Sequence, residues 1–230
     1  MKKIGLLGGM SWESSLNYYK IINEEIKNKL GGLHSAKVVL NSVDFEQIEK
    51  LQHNGDWDQT AIILSNEARY LQKAGVDFLL ICTNTMHKVA SIIEKNIDIP
   101  ILHIADATAH VLVADGIKKV ALLGTAFTMK EEFYKGRLKD KFDLEVVVPN
   151  EDDINTIHQI IYDELCLGII KESSKQKYLK IVSKLQKKGV EGVILGCTEI
   201  AMLVQQKDCD IKLYDTTTIH AKKAVEYATK

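Results

Sequence analysis

The chain has 230 residues, a formal net charge of -1, 27% charged and 46% hydrophobic residues. That length accommodates one large domain or two small ones with an ample core, and the missing basic excess excludes a surface built to neutralise nucleic-acid or membrane phosphates. Arginine occurs only at Arg69 and Arg137, so backbone amides and hydroxyls must do most of the work of gripping any substrate carboxylate.

Lys3 to Leu7 reads as a short apolar strand rather than a leader. No run of about 20 apolar residues follows anywhere, so a reducing cytoplasm with free thiols is expected. Gly8-Gly9 ends the strand and Ser11 can cap a helix carrying Trp12, Leu16, Tyr19, Ile22 and Ile26 at helical spacing, stopped by Gly31-Gly32. Ala36 to Val43 is the next strand. A polar crossing with Gln47, Gln52 and His53 leads to a helix over Trp57–Lys73. The strand Val76–Cys82 delivers Thr83-Asn84-Thr85 at its end, with a helix to Glu94. Pro100 opens a strand at Ile101-Leu102-His103, and a helix runs from Asp106 to Ala114.

At Lys118 the pattern restarts. Lys118-Lys119-Val120-Ala121-Leu122-Leu123-Gly124-Thr125 resembles Lys2-Lys3-Ile4-Gly5-Leu6-Leu7-Gly8-Gly9. A helix over Thr128–Lys141, a strand over Leu144–Val148 and helices over Asp152–Leu167 and Ser173–Lys187 follow. The strand ending at Gly196 then delivers Cys197. Ile211–Tyr214 is a last strand and Thr216–Ala228 a closing helix. The stretch Lys187–Glu199 lies over Lys73–Thr85 without a gap, at nearly the same offset of about 115 residues, and in that register Thr83 is the counterpart of Cys197. Strands alternating with helices predict an α/β fold with mainly parallel sheets. The two ordered matches predict that it is duplicated, with both strand ends facing one cleft.

The cysteines Cys82, Cys166, Cys197 and Cys209 show neither CxxC nor CxxH spacing, so no metal site is expected. A thiol and a hydroxyl on opposite sides of one carbon suit racemisation, which needs an acid/base group on each face. The helices after the two strand ends are expected to lower the thiol pKa and to bind a carboxylate. A one-residue step along a strand turns Cys82 into the packing.

Thr83-Asn84-Thr85-Met86-His87 and Gly196-Cys197-Thr198-Glu199, with Gly5-Leu6-Leu7-Gly8-Gly9-Met10-Ser11-Trp12 and the closing Tyr214-Asp215-Thr216, resemble the aspartate/glutamate and hydantoin racemase superfamily, closest to its L-aspartate/glutamate-specific branch. The resemblance implies two pseudo-symmetric α/β domains, residues 1–103 with 215–230 and residues 104–214, and a site in the cleft between them. It implies racemisation of aspartate or glutamate without pyridoxal phosphate or any other cofactor, and a homodimer. Many relatives carry cysteine where this chain has Thr83. Catalysis is assigned to Thr83 and Cys197. Met10, Gln52, Asn84, Thr85, Thr125, Glu164 and Thr198 are expected at the substrate, with Glu164 meeting its ammonium group or else a solvated helix residue. Two alternatives stay open: a related isomerase of maleate or hydantoin type, and a binding protein for acidic amino acids that has lost chemistry at Thr83.

Overall fold

A computed structural model describes residues 1–230. The first of its two units comprises Met1–Ile104 and His220–Lys230, the second Ala105–Ile219. In the first, β1 (Ile4–Gly8) is followed by α1 (Trp12–Leu30), β2 (Val38–Ser42), α2 (Phe45–His53), α3 (Trp57–Lys73), β3 (Phe78–Ile81), a 3-10 turn at Thr85–Val89 and α4 (Ala90–Glu94). The strands are parallel in the order β2-β1-β3, with Leu7 level with Ile81. β1 is buried throughout, as a parallel strand covered on both faces must be. Its side chains alternate between two cores. Ile4 and Leu6 join Tyr18, Ile22, Phe78, Leu80 and Cys82 together with Ala221 and Val225. Leu7 joins Ile48, Leu64, Leu79, Ile81 and Met86 on the other face.

Three expectations change here. The helix stripe at Trp12, Leu16 and Tyr19 faces outward, with exposures of 63%, 55% and 50%. The inner face of α1 starts instead with Ser14 and Ser15, because their hydroxyls bond the strand ends: Ser14 Oγ donates to Cys82 O at 2.7 Å and Ser15 Oγ accepts from Gly9 N at 2.8 Å. The polar crossing around Gln47–His53 is helix α2, begun by Asp44, whose carboxylate accepts the Glu46 amide at 3.2 Å. The strand expected at Ile101–His103 shrinks to a bridge between Ile101 and Leu79. Pro100 brings no N–H, and the next helix already begins at Ile104.

The second unit holds α5 (Ile104–Ala114), whose first residue is the last of the first unit, then β4 (Lys119–Gly124), α6 (Ala126–Lys130), α7 (Glu132–Phe142), β5 (Glu145–Val147), α8 (Glu151–Asp163), a 3-10 turn at Leu165–Leu167, α9 (Glu172–Gln186), β6 (Gly192–Gly196), α10 (Ile200–Leu203), β7 (Lys212–Asp215) and the start of α11 (Thr216–Ala228). All strands are parallel in the order β5-β4-β6-β7. Leu123 pairs with Leu195 as Leu7 pairs with Ile81, so the internal repeat of the sequence is a repeat of topology and register. At the end of this sheet Gly124 faces Gly196. A Cβ on Gly124 would stand 2.7 Å from Gly196 O, and one on Gly196 2.9 Å from Leu123 O, so both positions need glycine for the strands to approach. No helix is long and apolar enough to cross a membrane, and no group of three or more His, Cys, Asp or Glu side chains is arranged to hold a metal ion.

Candidate active site

The apolar run of β6 carries the chain to the carboxyl end of its sheet, where ligands of parallel α/β folds bind. Cys197 is the first residue beyond it. It is 8% exposed, and its Sγ donates to Glu199 Oε2 at 2.9 Å. The same oxygen accepts the Thr198 hydroxyl at 2.7 Å. Two donors on one carboxylate oxygen fix that oxygen beside the sulfur. Burial pushes the Cys197 thiol well above its ordinary pKa, and the Glu199 charge adds to the shift. This corrects the expectation of a thiol acidified by a helix: α10 has only four residues, while the nearest charge is negative.

Thr125 follows β4 and stands level with Cys197, because Gly124 is paired with Gly196. It begins α6, with its hydroxyl accepting the Thr128 amide at 3.3 Å. Glu164 ends α8 with its carboxylate engaged by Ser174 Oγ at 2.6 Å and Lys171 Nζ at 3.2 Å. Those hydrogen bonds hold it below the usual carboxylate range, the Ser174 bond foremost. Both oxygens thus have partners within the unit.

The corresponding end of the first unit is Thr83. The strand ladder finishes with Cys82 N donating to Leu7 O at 2.9 Å. Cys82 itself is fully buried among Ile4, Leu6, Tyr18 and Leu80, where it packs in the core, and burial alone drives its thiol pKa upward. Thr83 is half-buried, and Asn84 and Thr85 are buried at 2% and 5% exposure. Thr85 opens a 3-10 turn rather than capping a long helix. Gln52 comes to this end from α2: it is 2% exposed and its Nε2 reaches Met86 Sδ at 3.9 Å. Met10 is also buried, and its side chain packs in the cluster with Ile48, Ile81 and Met86. Its backbone lies in the Gly8–Ser11 loop, bent by Gly9 at φ +89° with no room for a Cβ against the Val43 backbone.

Residues 7–224 match the Asp/Glu/Hydantoin racemase family. The chain belongs to that family. A candidate Asp/Glu racemase from Yersinia pestis superposes with a TM-score of 0.93 at 52% identity over 100% of both chains. An aspartate racemase homologue from Pyrococcus horikoshii gives 0.86 at 35%, again over 100% of both. A glutamate racemase of Leptospira interrogans is 29% identical over 168 residues, 70% of this chain and 61% of the relative, so the match spans about three-fifths of that enzyme's length. A glutamate racemase from Francisella tularensis, in complex with D-glutamate, shares the fold alone: 16% identity and a TM-score of 0.70, over 98% of this chain and 80% of its own.

Within this racemase-family fold the first unit gathers Met10, Gln52, Asn84 and Thr85 around the Thr83 end, and the second gathers Thr125 and Thr198 around Cys197. The Thr198 hydroxyl proton goes to Glu199, so its side chain has none left for a substrate carboxylate. Sequence reasoning named Glu199 only as a neighbour in the motif and missed that it is the partner of the thiol. The signal was present: an acidic residue two positions beyond a strand-end cysteine, where the chain turns back on itself. His87, which entered the sequence reading only as the last residue of the Thr83 motif, has its Nδ1 2.8 Å from the Thr83 carbonyl.

Proposed function

We propose that this chain interconverts the enantiomers of an acidic amino acid, aspartate or glutamate, by proton transfer at the α carbon without a cofactor. The hydrogen bond from Cys197 Sγ to Glu199 Oε2 carries the reading, since it supplies the buried thiol with an acceptor for its proton. To act as base, Cys197 passes its S–H proton to Glu199 and the resulting thiolate removes the α-proton. The electron pair left on carbon spreads into the α-carboxylate as an enolate-like state. A proton returns to the opposite face through the Thr83 hydroxyl, which regains one from water because a hydroxyl is a weak base by itself. Glu199 then releases its proton to water, which restores the starting thiol and carboxylate. In the other direction Glu199 first takes a proton from water, water also draws the α-proton through Thr83, Cys197 gives its S–H proton to carbon, and Glu199 reprotonates the thiolate. Asn84 and Thr85 hold the α-carboxylate, with Thr125 as a further donor. Gln52 meets the side-chain carboxylate.

Enantiomers have equal free energy in solution, so kcat/KM is the same in both directions however unlike the two faces are. The unlike pair shifts kcat and KM together. The test is proton NMR of L- and D-aspartate and L- and D-glutamate in heavy water. Loss of the α-proton signal with inversion is expected for at least one pair. Binding of all four without any exchange would make the chain a sensor of acidic amino acids. Turnover of hydantoins or maleate with no exchange in the four would assign it to a related isomerase.

A further inference from the structure

β3 ends at Ile81, so the backbone carbonyls just beyond it have no strand to pair with. Two side chains hold them. Ser14 Oγ donates to Cys82 O at 2.7 Å, and the His87 ring reaches Thr83 O at 2.8 Å through Nδ1. The other ring nitrogen of His87, Nε2, accepts the backbone amide of Ile104 at 3.2 Å. An amide is only a donor, so Nε2 carries the lone pair and Nδ1 carries the proton. His87 is therefore a neutral ring of fixed tautomer, 3% exposed, tying the carbonyl of Thr83 to the segment where the chain leaves the first unit.

That segment is braced a second time. His220 Nε2 donates to Leu102 O at 2.7 Å, and its Nδ1 accepts from Tyr18 OH at 2.8 Å. The ring of His103 stands edge-on to His87 at 4.4 Å, and His220 lies 6.1 Å from His87. Burial holds the His220 pKa down at about 4, so this ring is neutral near pH 7. In the internal register Ala201 stands where His87 does, a side chain that cannot make this tie; the histidine at a strand end of the second unit is His158, whose Nδ1 accepts the Ala126 amide beyond β4 at 3.2 Å.

From this geometry we propose that His87 is a positioning residue that sets the orientation of Thr83 through its carbonyl and does so for one face of the substrate only. The proposal rests on the two-face reading above. It predicts an asymmetric defect that a general loss of packing would not produce. In His87→Ala, kcat for inversion falls at least tenfold while KM stays within about threefold. Exchange of the α-proton that Cys197 removes and returns on its own face persists. The ratio of exchange without inversion to inversion, read by NMR and chiral chromatography in heavy water, then rises at least tenfold. His87→Asn, whose side-chain N–H can still donate to Thr83 O, restores the ratio to within about threefold of wild type.

An unchanged ratio in a folded His87→Ala protein overturns the proposal, and so does equal loss of exchange on both faces. Should His87→Ala not fold, nitrogen-15 NMR of the wild-type ring decides: a protonated Nδ1 with bare Nε2 is expected, and the opposite tautomer overturns it. A wild-type protein that exchanges no acidic amino acid sinks the racemase reading instead, and the tautomer measurement keeps the two failures apart.

Discussion

Two strand ends of one duplicated scaffold have come to hold different equipment. Beyond Cys197, the position two residues on is Glu199, whose carboxylate takes the thiol's hydrogen bond. Beyond Thr83 the same position is Thr85, and two further on the first unit has His87 on the backbone carbonyl. One end sets a carboxylate against the side chain of its residue. The other ties the backbone carbonyl of its residue to an imidazole. Register and topology survived duplication, since a sheet tolerates little change in strand pairing, whereas the first residues past the strands are free to diverge. A shared backbone therefore does not imply shared acid–base chemistry.

The sharpest way to break the comparison is to remove the thiol. Cys197→Ala is expected to lower racemisation of both enantiomers by at least ~10³-fold, within the range of a lost acid–base group, and to end α-proton exchange on that face; full exchange in heavy water would remove Cys197 from the mechanism. Glu199→Gln probes the same end differently. It takes away the charge that helps hold the Cys197 pKa up, while burial remains. The thiol should then alkylate at lower pH, as read by mass spectrometry of that cysteine against pH. Racemisation should fall ~10²-fold, because the proton acceptor has gone. A rate that rose with the easier alkylation would show that Glu199 only hinders the thiol.

How much of this could be read beforehand depends on where the information sits. The parallel sheets and the Thr83–Cys197 correspondence were legible because apolar strands with glycine stops recur at one offset. The face of α1 was not. Apolar spacing favoured Trp12, Leu16 and Tyr19, yet the helix turns Ser14 and Ser15 inward because strand-end carbonyls and amides need partners. The ionisation of Cys197 was misread for a related reason. A helix was expected to acidify the sulfur, but α10 is one turn long and a carboxylate two residues away sets the local charge. His87 was visible as a residue, while its role depends on Ile104, too far along the chain for any local pattern to suggest.

At the hydroxyl end, Thr83→Ala should slow inversion by roughly 10–100-fold, at or below the lower limit of about 10² for a lost acid–base group because water can stand in for a weakly basic hydroxyl, while exchange on the Cys197 face continues in heavy water. Thr83→Cys makes the ends chemically alike and should recover inversion at alkaline pH, where a second thiolate forms. If Thr83→Ala inverted substrate at the wild-type rate, water alone would serve that face and the hydroxyl would be a spectator.

The smallest effect separates the units by pH rather than by rate. His220 has its pKa held near 4 by burial, against 6.5 in an exposed ring. A histidine depressed in the folded state binds its proton more readily when unfolded. The stability it contributes is therefore complete above ~6.5 and is lost as pH falls from there through ~4. Between pH 7 and pH 5 that loss is about 2 kcal/mol for this one ring. The protein should unfold at lower denaturant at pH 5 than at pH 7, and His220→Gln, having no ring to protonate, should show a dependence smaller by about that amount. The change should appear in amide exchange around Tyr18 and Leu102, which hold the two ring nitrogens, ahead of the Cys197 end, whose carboxylate partner gains nothing from a protonated imidazole in the other unit. Equal loosening of both ends at pH 5, or no difference between His220→Gln and wild type, would mean that the acid sensitivity of the fold lies elsewhere than in the ring that bonds Leu102 and Tyr18.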